Sequence, residues 1–211
     1  MSRSWKSAMA KASWVAVAMG VGGAAPAGAE LGVPDVSLSG GLTIPAGPAS
    51  FTDLHAFGLA LAGGLRYRLV PLLSLNLEVG YYRMPFDTGA FEKTIATRFP
   101  NINVSGNDTN VIPVTLAFEV PLPVTGSTRP YLSAGGGFYH VGSSAKQVSG
   151  PNAGLLEIPS VNGNVLGLRF GAGLRTPLTP LASLFLDASY HIALTNPDHI
   201  RFVPLRLGVR F

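Results

Sequence analysis

The sequence contains no cysteine in 211 residues, so the chain forms no disulfide bond, no thiolate metal site and no cysteine nucleophile. Charged residues are also scarce: they make up 12% of the chain, against 47% apolar residues and a mean hydropathy of +0.34. After the N-terminal region, no apolar run approaches the roughly 18 residues that indicate a membrane-spanning helix. A chain this apolar must therefore either build an unusually large core or turn apolar strand faces towards lipid.

The N-terminal region has the composition of a secretory signal peptide. Three basic residues precede a short apolar run at 14–25, and an Ala-Gly-Ala sequence follows at 27–29. The run is interrupted by glycines and falls short of the roughly 20 apolar residues that span a bilayer. We therefore predict a cleaved signal peptide at 1–29 and one domain at 30–211.

The excess of basic residues comes mostly from this predicted signal peptide. All eleven acidic residues lie at or after Glu30, and three of the fifteen basic residues precede it, which leaves twelve basic residues and a net charge of +1. These basic residues form no patch interleaved with aromatics, so we predict no nucleic-acid partner. The four histidines are scattered, and the Gly-x-Gly at 171–173 lies inside a predicted strand, so we predict no metal site and no cofactor.

The last eleven residues show the pattern on which the rest of the chain is built. They alternate between an apolar face and a face that carries two arginines, as in a strand with one side towards lipid. The apolar face consists of Val203, Leu205, Leu207, Val209 and Phe211. The same period of two recurs along the chain and predicts eight strands. They are 35–45, 55–69, 73–82, 111–120, 130–141, 166–175, 184–192 and 201–211.

The connections between these strands alternate in length. Those after the second, fourth and sixth strands are short, and 84–109 and 142–162 are the longest of the others. Short periplasmic turns and long outer loops are typical of bacterial outer-membrane barrels with both termini in the periplasm. We therefore predict an all-β fold, an eight-stranded antiparallel up-and-down transmembrane β-barrel; a β-sandwich also alternates, but it hides its apolar faces. Pro113 cannot donate to a strand ladder, so we expect a bulge or a break in pairing there.

Several predicted inward positions carry charge. Glu78, Arg169, Asp187 and Arg206 lie at similar heights, and we expect them to pair because an unpaired charge is costly in a narrow interior. An eight-stranded barrel is just wide enough to be filled by its own side chains, so the four form either a plug or a gate whose pairs rearrange.

A second group of charges lies nearer the predicted periplasmic mouth. Its members are Arg68, Glu119, Arg175 and Arg210, and we expect them to form a looser, hydrated ring.

Many of the other inward positions are small. Either large neighbours fill the space beside them, or the outer half of the barrel keeps an apolar cavity suited to a hydrophobic solute. These positions are Gly41, Gly58, Ala60, Ala62, Gly64, Gly80, Gly167, Gly171 and Gly173.

One strand face also carries the side chains of a hydrolase. Asp187, Ser189 and His191 share the inward face of the seventh predicted strand, and a serine with a histidine can supply a nucleophile and a base. Adjacent residues on one face are also ordinary lumen lining, and no convergent site is evident. We predict no catalytic residues.

Three stretches resemble the superfamily of small bacterial outer-membrane β-barrels that includes the OmpA barrel domain, OmpX and OmpW. They are IPVTLAFEVPLP at 112–123, RPYLSAGGGFYH at 129–140 and RFVPLRLGVRF at the C-terminus. The resemblance implies an integral protein of the bacterial outer membrane, in contact with outer-membrane lipid. It also implies that the C-terminal strand engages the barrel-assembly machinery.

The resemblance leaves more than one function open, because members of the superfamily include structural anchors, adhesins and stress-resistance proteins. We predict a structural or surface-interaction role with a plugged or narrow lumen, and a surface ligand for the loops 84–109 and 142–162. The alternative is a channel for small, hydrophobic solutes, as in OmpW-like members. A lipid-modifying enzyme is a more remote alternative.

Overall fold

The computed structural model describes residues 33–89, 103–105, 108–143, 147–149, 161–196 and 198–211. The predicted signal peptide and much of the two longest loops lie outside these residues.

Eight long strands close into one antiparallel barrel, in the order β1-β10-β9-β8-β6-β5-β3-β2. Each long strand pairs with the long strands before and after it in the chain, and β10 pairs with β1 to close the ring. The predicted eight-stranded up-and-down barrel is therefore confirmed. The long strands are β1 (Asp35–Gly47), β2 (Gly58–Val70), β3 (Leu73–Met84), β5 (Thr109–Pro121), β6 (Arg129–Ser143), β8 (Val161–Pro177), β9 (Ser183–Ala193) and β10 (Ile200–Arg210). Two short strands in the loops are β4 (Asn103–Ser105) and β7 (Gln147–Ser149).

The period-two pattern places apolar side chains on the outside of the barrel and polar ones inside. In β3, Leu77 and Val79 point outward and are exposed, whereas Ser74, Asn76 and Glu78 point inward and are buried. β10 follows the same rule, with Leu205, Leu207 and Phe211 exposed, and the inward Arg206 and Arg210 buried. This arrangement is the reverse of a water-soluble sandwich and suits a lipid environment.

The two ends of the barrel differ in their connections. We call the end where β1 begins and β10 ends the terminal end; there the chain connects β2 to β3, β5 to β6 and β8 to β9 through short turns. The backbones of Val36 and Phe211 hydrogen-bond to each other at this end. We call the other end the loop end. There the two longest loops each carry a short strand, β4 and β7, and these pair antiparallel with each other.

The connection between β1 and β2 contains a single helical turn, α1 (Ala49–Thr52). Its Phe51 side chain is buried. In the part of the chain that the structure describes, no helix is long and apolar enough to cross a membrane.

Proline interrupts the ladder on one side only. Pro113 of β5 stays in register with β6, but on the β3 side the pairing stops after Val114 and resumes at Val111 without a register shift. The expected break in pairing is therefore present, and a bulge is not. Pro204 of β10 likewise interrupts the pairing with β9, which stops at Phe202 and resumes at Leu205. Both cases follow from the missing N–H of proline.

Candidate functional site

Four buried charges meet in the middle of the lumen, and we call them the ion-pair layer: Glu78, Arg169, Asp187 and Arg206. Arg206 Nη1 lies 2.8 Å from Glu78 Oε1, and Arg206 Nη2 lies 2.6 Å from Asp187 Oδ1. Arg169 Nη2 lies 3.4 Å from Asp187 Oδ1 and 3.5 Å from Glu78 Oε2. Two carboxylates and two guanidinium groups thus form one neutral network across the barrel.

The sheet register explains how the ion-pair layer forms. Arg206 of β10 lies directly opposite Asp187 of β9 on one side and Gly41 of β1 on the other. An added Cβ at Gly41 would fall 2.0 Å from the carbonyl oxygen of Leu205, so β1 passes very close to β10 at this point. Glu78 reaches Arg206 from β3. Hydroxyl groups add two hydrogen bonds to the network: Tyr131 donates to Asp187 Oδ2 over 3.1 Å, and Arg206 Nη1 donates to the Tyr82 oxygen over 3.2 Å.

Nearer the terminal end lies a second group of charges, which we call the mouth layer: Arg66, Glu119, Arg175 and Arg210. The Glu119 carboxylate contacts three guanidinium groups. Its Oε1 lies 3.0 Å from Arg66 Nε and 3.5 Å from Arg175 Nη1, and its Oε2 lies 3.3 Å from Arg210 Nη2. Asp35 also contacts Arg66, with 3.0 Å between Oδ2 and Nη1. Between the mouth layer and the ion-pair layer, the structure leaves a cavity of only about 10 Å³.

The expectation of a loose, hydrated ring at this level is wrong for two of its members. Glu119 is 1% exposed and Arg210 is 5% exposed, because the shared carboxylate draws the guanidinium groups into the lumen. Arg175 is 15% exposed. Arg68, which we expected in the ring, is exposed and forms no ion pair with any described residue. Arg66, which the sequence reasoning left out of both charge groups, takes its place.

Towards the loop end, the lumen is filled by rings, which we call the aromatic layer: Tyr82, Tyr139, His191 and Phe202. All four are fully buried. His191 stacks on Phe202 with ring centroids 4.9 Å apart, and Tyr82 lies 5.1 Å from Phe202 and 5.4 Å from His191. The Tyr139 hydroxyl lies 3.0 Å from His191 Nδ1, so the layer is held by a hydrogen bond as well as by packing.

The small inward positions make room for aromatic rings. An added Cβ would lie 2.8 Å from the Tyr82 ring at Gly80 and 2.5 Å from the Tyr139 ring at Gly167. The first of the two alternatives, that large neighbours fill the space, therefore describes these positions.

Towards the loop end, the aromatic layer continues into an apolar cluster. Phe51 of α1 packs in one buried cluster with side chains from the strand ends, among them Met84, Val111, Val141 and Ala193. The segment after α1 is tied to the start of the next loop, because the Ala56 N–H donates to the Pro85 carbonyl over 3.0 Å and the Asp87 N–H donates to the Leu54 carbonyl over 2.8 Å. No pattern in the sequence indicates that this connection folds back over the barrel.

The structure brings Ser189 and His191 together, but inside the filled lumen. Ser189 Oγ lies 3.1 Å from His191 Nε2, and both side chains are buried, at 1% and 0% exposure. Asp187, the third residue of the considered set, is bound to Arg206 and Arg169. Ser189 is thus a buried hydrogen-bond partner of the aromatic layer, to which His191 belongs.

A closed antiparallel barrel with an apolar outer face and an ion-paired interior is the architecture of a transmembrane β-barrel. The chain belongs to the outer membrane protein beta-barrel domain family, whose model matches residues 11–211. It is therefore an integral protein of the outer membrane, as the sequence predicted.

Solved structures of small barrels are similar to this chain. Neisserial surface protein A (NspA) is 15% identical, with a TM-score of 0.56 over 84% of this chain and 95% of its own. Ail, the attachment invasion locus protein of Yersinia pestis, is 16% identical, with a TM-score of 0.47 over 84% of this chain and 99% of its own. The N-terminal barrel domain of Pseudomonas aeruginosa OprF is 15% identical, with a TM-score of 0.46 over 84% and 97%. None of the curated proteins compared with the sequence matches it.

Proposed function

We propose that this protein is a closed outer-membrane barrel with a structural or surface-interaction role, and that it does not conduct solutes. The observation that supports this proposal is the succession of filled levels along the lumen. The mouth layer, the ion-pair layer, the aromatic layer and the apolar cluster under α1 follow one another from the terminal end to the loop end. A barrel of eight strands leaves little room beyond its own side chains.

The ion-pair layer and the aromatic layer differ in chemistry, so each of them obstructs a different class of solute. The ion-pair layer excludes an apolar solute, because its polar groups would lose their partners. The aromatic layer obstructs hydrated ions, because its rings are closely packed and fully buried and its polar groups already bond to protein atoms. A hydrophobic solute and a hydrated ion would thus each meet at least one level that rejects it.

The proposed orientation places the terminal end in the periplasm and the loop end outside the cell. It is supported by the short turns at the terminal end and the long loops at the other. It also agrees with the proposed removal of residues 1–29 during export. In this orientation, β10 offers the barrel-assembly machinery a terminal strand with Leu205, Leu207 and Phe211 exposed on its lipid-facing side.

The proposed surface role rests on the two longest loops. The pairing of β4 with β7 joins the loops 84–109 and 142–162 into one unit at the loop end. A joined pair of loops presents a single surface to a partner outside the cell, and we propose this unit as the site of a surface ligand.

A catalytic role is not proposed, because Ser189 and His191 are enclosed. A lipid tail would have to displace the rings of Tyr82, Tyr139 and Phe202 to reach the Ser189 hydroxyl. Hydrolysis of lipid acyl chains by the wild type that is lost in Ser189→Ala would contradict this assignment.

The proposal is tested by single-channel recording and small-solute leakage in bilayers. Four proteins are compared: the wild type, an ion-layer variant (Asp187→Ala with Arg206→Ala), an aromatic-layer variant (Tyr82→Ala with Phe202→Ala) and the combination of all four substitutions. We expect a silent wild type and a conducting combined variant, with each two-residue variant close to silence because the other level still blocks. Steady wild-type conductance would contradict the proposal and favour the channel alternative.

A further inference from the structure

The terminal end of the barrel holds a cavity of about 350 Å³ that the closed lumen does not use. It opens at the mouth, on the outer side of the mouth layer. Five arginines line it: Arg66 and Arg68 from β2, Arg129 at the start of β6, Arg175 from β8 and Arg210 from β10. We call this cavity the mouth pocket. Its volume lies in the range of small-ligand sites.

The side chains around the mouth pocket are unbalanced in charge. Among the side chains that the structure describes here, two carboxylates balance part of this charge: Asp35, on the wall of the pocket, and Glu119, beneath it. The side chains thus leave a net excess of three positive charges. By contrast, the ion-pair layer deeper in the lumen is neutral. Of these two groups of side chains, it is therefore the one around the mouth pocket that carries excess positive charge.

Two of the five arginines have guanidinium groups that no other described side chain binds. Among the described residues, Arg68 and Arg129 form no ion pair and no side-chain hydrogen bond. A guanidinium group has five N–H donors arranged to bind oxyanions in pairs. Arginines clustered with spare donors around a concave space are the chemistry that recognises phosphate.

We propose that the mouth pocket binds a small, soluble molecule that carries phosphate groups. A molecule with two or more negative charges matches the excess of three, and the hydroxyl groups of Ser127, Thr179 and Ser183 on the pocket wall offer further hydrogen bonds. A soluble molecule fits better than a lipid headgroup, because Arg66 and Arg210 face the barrel interior, whereas lipid contacts the apolar outer face. In the proposed orientation, this ligand would come from the periplasm.

The test is a calorimetric titration of the folded protein with pyrophosphate, in zwitterionic detergent at low salt. Wild type is expected to bind saturably. The variant Arg68→Gln with Arg129→Gln is expected to weaken binding by about tenfold or more, as charge-assisted hydrogen bonds are lost. These two side chains are exposed and unpaired in the described structure, so the variant should fold, which is checked by the heat-dependent mobility of the barrel on a gel.

The matched control is Arg83→Gln, which changes an exposed arginine at the loop end and should bind pyrophosphate as the wild type does. A second arm adds phosphatidylglycerol to the micelles. Unchanged pyrophosphate affinity there supports a soluble ligand, and competition by the lipid overturns that assignment. The site itself is overturned if the wild type shows no saturable binding, if the double variant binds as tightly as the wild type, or if Arg83→Gln weakens binding equally.

Discussion

Arg206 and Asp187 face each other directly across the β9–β10 ladder, and their Nη2 and Oδ1 atoms lie 2.6 Å apart in a fully buried setting. The same guanidinium group also holds Glu78, at 2.8 Å from Nη1 to Oε1. One arginine therefore binds two carboxylates from opposite sides of the barrel, and Arg169 supplies the second positive charge that balances them. The pairing makes the interior a packed core and leaves no open passage at this level, which is the basis of the closed-barrel account.

The first prediction concerns this arginine. Arg206→Met removes the charge but keeps much of the side-chain volume, and it leaves both Glu78 and Asp187 short of a partner. Breaking a buried pair in this way costs about 3 to 5 kcal/mol. The free energy of unfolding, measured by denaturant titration in lipid vesicles, should fall by about this amount.

Arg83→Met serves as the control. Arg83 pairs with Asp108 at an exposed rim, so this substitution should change stability little. Equal stability of the two variants would contradict a structural role for the ion-pair layer.

The second prediction concerns two glycines in the same strand. Gly173 of β8 lies under the Tyr131 ring, and an added Cβ would fall 2.3 Å from Tyr131 Cζ. Gly173→Ala should therefore push Tyr131 away from Asp187, to which its hydroxyl donates. We expect a clear loss of stability, of about 1 to 3 kcal/mol, as for overpacking in other cores.

Gly163 of β8 is the matched control, because an added Cβ there meets no atom within 4 Å. Gly163→Ala should fold and unfold like the wild type. The comparison uses the same substitution in the same strand, so any difference reports on the space beside each glycine. A tolerated Gly173→Ala would show that Tyr131 is not held against β8 as the structure describes.

The fold could be predicted from the sequence because a strand makes side chains alternate with period two. In β3, the polar residues Ser74, Asn76 and Glu78 alternate with apolar ones, and the structure places the two sets on the two sides of the barrel. Local alternation, repeated eight times with turns between, is enough to define the class.

The details of the charge groups needed three-dimensional information. In the hydrogen-bonded register, Arg68 lies opposite Ser74, and Ser74 lies opposite Glu119, yet it is Arg66 that reaches Glu119. Strands in a closed barrel tilt against its axis, so residues that match in register lie at different heights. The sequence predicts which side a residue faces, but the tilt decides which charges meet.

The position of α1 over the lumen could not be predicted from the sequence either. This position depends on the packing of Phe51 against side chains from several strands, including Met84 and Val141. Such a contact joins positions far apart in the chain and leaves no periodic pattern. The short segment between β1 and β2 therefore looked like an ordinary loop.

The third prediction concerns the lipid-facing surface. Leu116 lies near the middle of β5, points outward and is 49% exposed. Leu116→Arg would place a charge at the centre of the bilayer and should cost about 2 to 4 kcal/mol of unfolding free energy in lipid vesicles.

Val124, in the turn between β5 and β6, has a similar exposure of 48% and gives the control. Val124→Arg lies outside the strands and should cost far less. If both substitutions were tolerated alike, the apolar band of the barrel would not be in contact with lipid.

The most direct test of a closed lumen uses the absence of natural cysteine. Ser189→Cys places a single thiol inside the barrel, where the serine is 1% exposed, and Ser127→Cys places one on an exposed turn at the terminal end. Each protein is folded into vesicles, treated on both sides with a charged, membrane-impermeant thiol reagent and analysed by mass spectrometry. The account predicts rapid modification of Ser127→Cys and no modification of Ser189→Cys until the barrel is unfolded by heat in detergent. Modification of Ser189→Cys in the folded protein at a rate close to that of Ser127→Cys would show an open lumen and contradict the account.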